Sequence, residues 1–449
     1  MYEILSLLQC LMFHVDRTTL RRMNIVVSAL LAMSGRITMR GISRWSGDGG
    51  SYRTIQRFFN TVIPWPALMW EFFRTHGWCR RATYLLAGDE VVVTKSGKKT
   101  YGLGRFFSSL YDHPVPGLAF FCLSLVSVEQ RRAYPVRLEQ VIRTTKGKQP
   151  SSASPPTSAP KSTPPKRQRG RPKGSKNKVK TEVCLNRELR LVKGAILALF
   201  ALMGGLLPIR YLLLDGHFGN NPALQMARQC HLHLISKLRH DSQLFVPYQS
   251  KDARRKYGER LNPKQLPVAY RVEATTEDGI RSERYQLRAL SPAFGNPLNG
   301  VIICKTHLAT QRQAHVILFS SDLELVHEQL VDYYALRFQI EFNFRDAKQF
   351  WGLEDFMNTT ERGVTNAANL ALFMVNVSQR LLQQVQRDWP DCSILDLKAG
   401  FRGYLYVKAV LKLLPQKLDP ILSIPIFAKV TNLGAIHPFF DPEAYSDLA

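Results

Sequence analysis

Acidic residues are scarce: 35 Asp and Glu stand against 61 Lys and Arg, giving the 449-residue chain a formal charge of +26. A field of that sign argues against a free cation as substrate. It makes polyanions the first partners to consider, nucleic acid ahead of an anionic membrane surface. Cysteine is thin as well. The seven residues (Cys10, Cys79, Cys122, Cys184, Cys230, Cys304, Cys392) are scattered without a Cys-x-x-Cys pair. That spacing suggests neither a zinc ribbon nor a disulfide framework and fits a reducing interior. The opening MYEILSLLQCLMF lacks the basic lead of a secretory signal. Long apolar runs are missing too. The nearest to a membrane span, 194–209, is slightly short and broken by Gly204-Gly205 and Pro208, so a buried helix is expected there. No internal repeat is visible. The expected setting is the cytoplasm, with no membrane partner.

Apolar residues are plentiful: 45% of the chain is hydrophobic and 10% aromatic, which excludes a wholly disordered basic protein. The length calls for two or more domains. The charge is uneven. Residues 143–180 carry twelve Lys or Arg and no acid, so this one segment holds twelve of the +26. Its first half, GKQPSSASPPTSAPKSTPP, is too poor in apolar surface to fold alone. Its second half, KRQRGRPKGSKNK, contains Arg169-Gly170-Arg171-Pro172-Lys173, which resembles an AT-hook. In such a motif Pro172 keeps the backbone extended, and Arg169, Arg171 and Lys173 meet the negative potential of a narrow minor groove. A solvated basic linker touching phosphates without preference is the competing reading. Either way the segment is expected to contact DNA.

Residues 1–80 read as helical, with ten Arg, no Lys and four acids. A short helix is predicted over 38–46, then a Gly47-Asp48-Gly49-Gly50 turn, then a helix over 52–60 N-capped by Ser51. On that second helix Arg53, Gln56, Arg57 and Asn60 share one face, and Tyr52, Ile55 and Phe59 another. A helix-turn-helix needs such a pair of faces, one to dock and one for phosphates and base edges. An ordinary helical hairpin would show the same pattern.

Beyond residue 80 the pattern changes to strands at 84–94, 117–128 and 132–139, a helix at 187–203, and a strand at 210–215. A helix at 221–230 and a strand at 231–238 follow. An antiparallel meander followed by alternation indicates a mixed sheet with helices on both faces, in the order of a ribonuclease H-like core. Strand-like pieces at 266–274, 282–290 and 301–305 read as a β-rich insertion. The core resumes with a strand at 315–320, one long helix over about 324–351, and a last helix over 360–387.

Two carboxylates sit in apolar strands: Asp89 inside YLLAGDEVVVT and Asp215 ending RYLLLD. An ionised carboxylate there is costly unless it is paired or binds a cation. A third lies on the long predicted helix, where Tyr334, Arg337, Glu341 and Lys348 fall within about 60° at 100° per residue. Tyr333, Leu336, Ile340, Phe344, Ala347 and Trp351 form the adjoining apolar stripe. Glu341 can therefore face the sheet carrying Asp89 and Asp215. A surface helix with an Arg337–Glu341 ion pair is the bland alternative, but it leaves the strand aspartates unexplained. Three carboxylates without His or Cys partners suit hard, oxygen-loving ions: two Mg²⁺, with Mn²⁺ as a substitute. A pair of such ions serves in-line phosphoryl displacement. Arg337 and Lys348 would hold the DNA phosphate and Tyr334 would hydrogen-bond it.

With these residues in view, the chain resembles the DDE transposases of bacterial cut-and-paste insertion sequences, in the group with a Tyr-(2)-Arg-(3)-Glu-(6)-Lys signature. Tyr334, Arg337, Glu341 and Lys348 keep that spacing, while LLAGDEVVVTKSGKKTYG and LLLDGHFGN match the first- and second-aspartate strands. The likeness spans roughly 80–380. It implies Asp89, Asp215 and Glu341 as catalytic metal ligands, with cleavage of the element's ends and joining to target DNA. It implies double-stranded DNA as partner (terminal inverted repeats and target), a homodimer in a synaptic complex, and association with the nucleoid. The expected organisation is a helical end-binding domain at 1–80, core at 81–142, basic insert at 143–180 and core at 181–238. A β-rich insertion at 239–313, core completion at 314–390 and a C-terminal region at 391–449 with a dimerisation role follow. The chain departs from well-known relatives in lacking any Trp in 241–330 and in carrying the basic insert. A catalytically inactive or domesticated DNA-binding derivative is the alternative function.

Overall fold

The computed structural model describes residues 4–47, 49–108, 112–142, 179–249 and 256–414, and, toward the C-terminus, 426–427, 429–433 and 435–437. Almost all of the basic insert, including Arg169, Arg171 and Lys173, lies outside the described residues. Five helices come first: α1 (Ile4–Leu8), α2 (Arg17–Ala32), α3 (Met39–Trp45), α4 (Tyr52–Asn60) and α5 (Trp65–His76). They are followed by β1 (Tyr84–Thr94), β2 (Gly104–Ser108), β3 (His113–Ser127), β4 (Arg132–Val141), α6 (Arg187–Met203), β5 (Tyr211–Leu214), α7 (Asn221–Gln229) and β6 (His233–Leu238). Next are β7 (Phe245–Pro247), β8 (Tyr257–Arg260), β9 (Arg271–Glu277), β10 (Ile280–Ala289), β11 (Leu298–His307) and β12 (Gln313–Ser320). The chain then turns helical in α8 (His327–Leu336), α9 (Gln339–Trp351), α10 (Glu361–Val385) and α11 (Ile394–Leu413).

One ten-stranded mixed sheet dominates, in the order β2-β3-β1-β5-β6-β12-β11-β10-β9, with β4 also on β3. The run β4-β3-β1-β5-β6 has β1 antiparallel to β3 and parallel to β5, which is itself parallel to β6. This mixed α/β architecture is consistent with the expected ribonuclease H-like core. The strands of the predicted β-rich insertion continue the same sheet: β12 pairs antiparallel with β6, and β11, β10 and β9 extend it outward. Only β7 and β8 form a separate ribbon among the described residues.

Strand alternation assigns the faces. On β3, Phe121, Leu123 and Leu125 pack with Leu86 against α6 and α7. Phe120 and Cys122 face the other way, toward a core shared by the N-terminal helices, α9 and α10. On β1, Leu85 and Ala87 pack beside α8, and Val91 and Val93 join the α9–α10 core. Asp89 falls between these two apolar pairs on the same face. The N-terminal helices are thereby fastened to the rest of the molecule. The buried Trp65 indole donates to Asn366 Oδ1 at 2.8 Å, and Asn366 Nδ2 donates to the carbonyls of Phe59 and Thr61, each at 2.8 Å. At the other end of α2, Lys398 of α11 caps the carbonyl of Leu30 at 2.6 Å and Arg402 caps that of Ala32 at 3.0 Å. Cations at a helix C-terminus satisfy carbonyls that have no partner within the helix.

The single helix predicted over 324–351 is two. The first begins at His327, and the chain tightens at Arg337–Phe338 into bonds three residues apart: Arg337 N to Tyr334 O at 3.2 Å, Phe338 N to Ala335 O at 3.1 Å and Glu341 N to Phe338 O at 3.0 Å. Such a 3₁₀ step inside a helical stretch marks a local change of axis. It falls at Arg337.

Candidate active site at the edge of two parallel strands

The parallel ladder of β1 and β5 pairs Leu86 with Leu212, Ala87 with Leu213 and Gly88 with Leu214. The next residue on each strand is an aspartate, so register alone makes Asp89 and Asp215 neighbours. Gly88 is a close fit there: a Cβ would lie 2.7 Å from the tip of the Phe121 ring and 3.0 Å from a Leu214 methyl, so those side chains would have to move. Asp215 ends its strand in a one-turn 3₁₀ segment, and Ser236 Oγ donates to its carbonyl at 2.7 Å.

Arg337 is the hub. It is 13% exposed and donates from one terminal nitrogen to Asp89 Oδ2 and from the other to Glu341 Oε1, each at 2.8 Å. The 3₁₀ step places its side chain toward β1 while Glu341 follows in the first turn of α9. The Tyr334 ring lies near the guanidinium, with its centroid 5.9 Å from Cζ. Burial and the negative charge of Asp215 push the Asp89 carboxyl up to about 6, although Arg337 pulls the other way. Burial disfavours the Arg337 charge, but Asp89 and Glu341 outweigh it and hold the guanidinium above its ordinary value. Burial also raises Tyr334.

Asp89 and Asp215 thus come together, and Glu341 joins them through Arg337. Lys348 lies elsewhere: its ammonium donates to Val92 O at 3.0 Å and pairs with Glu354 at 2.9 Å. It braces α9 against β1. On α4, Arg53, Gln56, Arg57 and Asn60 are exposed as expected, with Ser51 as the N-cap accepting from Thr54 N at 3.3 Å. The docking face differs by one residue. Ile55, Phe58 and Phe59 are buried, whereas Tyr52, the first residue of the helix, is 40% exposed.

The donor set fits a hard divalent cation. All three acids offer only oxygen, and Asp215 Oδ1 is buried with no hydrogen-bond partner, an atom that a cation would satisfy. Among the described residues, however, no three His, Cys, Asp or Glu side chains converge closely enough to hold a metal. The guanidinium between Asp89 and Glu341 accounts for the separation.

Two cavities meet at Asp215. One, about 530 Å³, is lined by Asp89, Glu90, Glu188 and His217; the other, about 480 Å³, by Lys237, Arg239, His315 and Arg337. Sequence reasoning missed Glu188, His217, Lys237, Arg239 and His315. A signal existed for Lys237 only, the single cation in the otherwise apolar and neutral HLISKL. No helix among the described residues is long and apolar enough to cross a membrane.

No curated protein matches the chain. The family described as DDE superfamily endonuclease matches residues 7–291, a stretch that includes both aspartates and stops before α9. The chain belongs to the DDE superfamily endonucleases, a nuclease and transposase class whose substrate is DNA and whose members generally use divalent metals.

Proposed function

We propose that the protein is a DNA transposase that cleaves the ends of an insertion sequence and joins them to target DNA. Asp89, Asp215 and Glu341 are its catalytic carboxylates. The observation that carries this reading is the β1–β5 register, which sets Asp89 beside Asp215 with Glu341 one guanidinium away. Asp89, Asp215 and Glu341 would hold Mg²⁺ ions, with Mn²⁺ as a substitute. When bound, the ions would activate the attacking oxygen and stabilise the leaving one in an in-line displacement. In their absence Arg337 neutralises Asp89 and Glu341, since an internal cation offsets the repulsion and burial that raise Asp89. Its fork suits a phosphate as well as a carboxylate, so it has a second partner once DNA arrives. Tyr334 is placed to donate its hydroxyl to the same phosphate. Exposed Arg53, Gln56 and Arg57 would contact the element's end, and Arg169, Arg171 and Lys173 the minor groove. A homodimer would bring two ends together, and association with the nucleoid follows from the charge.

The test is cleavage of a duplex carrying the element's own terminal repeat in Mg²⁺ or Mn²⁺. The parent should nick it, and Asp89→Asn, Asp215→Asn and Glu341→Gln should not. Equal cleavage by Glu341→Gln would remove that residue from the site. The inactive DNA-binding derivative also has an observation in its favour, because Arg337 keeps the carboxylates from converging. It requires metal-independent DNA binding with no strand breakage under any ion.

A further inference from the structure

The two cavities that meet at Asp215 differ in charge. The one bounded by Glu90, Arg187, Glu188 and His217 carries two carboxylates beyond the shared site against one arginine. The other is walled by Lys237, Arg239, His240, His315 and Arg337, and Asp215 is its only acid. We infer that this second cleft is the seat of the phosphodiester backbone, holding the strand that runs on from the scissile phosphate. The inference rests on the nuclease reading above and adds the path of the strand to it.

The cleft is built rather than incidental. Its floor is the antiparallel pairing of β6 with β12, where Lys237 pairs with Leu318 and Leu238 with Ile317. Lys237 is the exposed member of an otherwise largely buried strand, and its ammonium has no hydrogen-bond or ion-pair partner among the described residues. Its backbone is locked to the loop of Asp215 from both sides. Ser236 Oγ holds the Asp215 carbonyl at 2.7 Å, and a Cβ at Gly219 would come within 2.0 Å of the Lys237 carbonyl, so only glycine lets the loop lie this close. A cation is thus fixed beside a catalytic carboxylate.

His315 is steadied by a 3.1 Å contact of Nε2 with the His240 carbonyl. Arg239 pairs with Asp241 at 3.1 Å, with both side chains exposed, so the pair can open for a phosphate at little cost. Arg337 and Tyr334 close the opposite wall. At about 480 Å³ the space suits a nucleotide-sized segment rather than a whole duplex. Phosphate is the ligand that an unpaired lysine beside an arginine in an exposed, easily opened ion pair recognises, and its source here is a nucleic-acid strand.

The test measures binding apart from chemistry. A labelled duplex ending in the element's terminal repeat is titrated, without divalent metal, against the parent and against Lys237→Glu combined with Arg239→Glu. Both side chains are exposed, and a thermal melt checks that the fold survives. If it does not, Lys237→Gln with Arg239→Gln replaces the pair. The expected result is binding at least about tenfold weaker, with the slope of log affinity against log salt reduced by roughly 0.9 for each lost phosphate contact. A folded variant that binds with parental affinity and parental slope would overturn the proposal. So would protection of the parent against heat by inorganic phosphate but not by the duplex. Asp215→Asn separates the two claims: if it still cleaves while the cleft variant loses binding, Asp215 is not a catalytic carboxylate and the cleft stands; if neither the parent nor any variant cleaves while the cleft variant still loses binding, the nuclease reading fails and the cleft stands.

Discussion

Arginines do opposite work in two regions of this molecule. On α4, Arg53 and Arg57 point into solvent, and neither has an ion-pair partner among the described residues. At the α8–α9 step, Arg337 is nearly buried and clasps two carboxylates. An exposed arginine costs the fold nothing and is free for any phosphate, with a strength that salt erodes. A buried one is part of the fold, and removing it strands the charges it neutralised. The comparison separates residues that bring DNA to the protein from residues that decide what happens there.

The largest expected effect is at the buried end. Asp89→Asn or Asp215→Asn removes a ligand for charge stabilisation worth several kcal/mol in the transition state, so cleavage should fall by about 10³-fold or more. DNA affinity without metal should stay near the parental value. Gel-based cleavage and anisotropy on the same preparations check both halves; retained cleavage would place the chemistry elsewhere.

Next comes Arg337→Gln. It leaves Asp89 and Glu341 without their shared partner, and stability should drop by about 2–4 kcal/mol near pH 8. The drop should shrink near pH 5, roughly one unit below the raised pKa, where Asp89 can take a proton instead. Affinity for Mn²⁺ without DNA should rise, because the competing internal cation is gone; titration calorimetry reads it directly. Weaker Mn²⁺ binding would mean that Arg337 orients the carboxylates rather than occupying their space.

A third effect follows from Asp89 alone. Its carboxyl is raised from 3.8 to about 6, so the folded state holds the proton more tightly than the unfolded chain. The sign is then fixed: without metal, stability falls as pH rises from about 4 through 6 and levels off above, by about 1–3 kcal/mol. Denaturant melts across that range should show the slope, and Asp89→Asn should flatten it. A slope of the opposite sign would mean that Arg337 over-compensates burial.

The same contrast governs what could be read from the sequence. The strand over Tyr84–Thr94 and the helix over Arg187–Met203 appear with the predicted bounds, because an apolar run or stripe bounded by turn or cap residues leaves little choice. Asp89 and Asp215 stood out because a carboxylate in an apolar strand demands a reason. The 3₁₀ step did not stand out. Its sequence, ALRFQIEF, is ordinary helix, and packing on the sheet, not local propensity, sets the break. Lys348 illustrates the limit of helical geometry. The spacing put it on the face of Glu341, but it lies two turns along and meets the end of β1 rather than the carboxylates. The pairing of β12 with β6 was also hidden, because register between distant strands leaves no local mark. The basic cleft was hidden with it.

The smallest expected effect tests the exposed end, and it is the one that most sharply divides the two roles. Arg53→Ala and Arg57→Ala alter solvent-facing side chains on a helix whose buried face, Ile55, Phe58 and Phe59, is untouched. Stability should change by no more than about 0.5 kcal/mol. Each should weaken binding to the terminal repeat a few-fold and lower the salt slope by about 0.9. Cleavage at saturating DNA should be unchanged, since α4 touches none of the carboxylates. Binding isotherms at several salt concentrations, with single-turnover cleavage at high protein, resolve the two quantities. If either variant instead slowed cleavage at saturation, α4 would be coupled to the site through the Asn366 bridge to Phe59 and Thr61. The fastening that makes the N-terminal helices part of one core would then also carry the signal that DNA is bound.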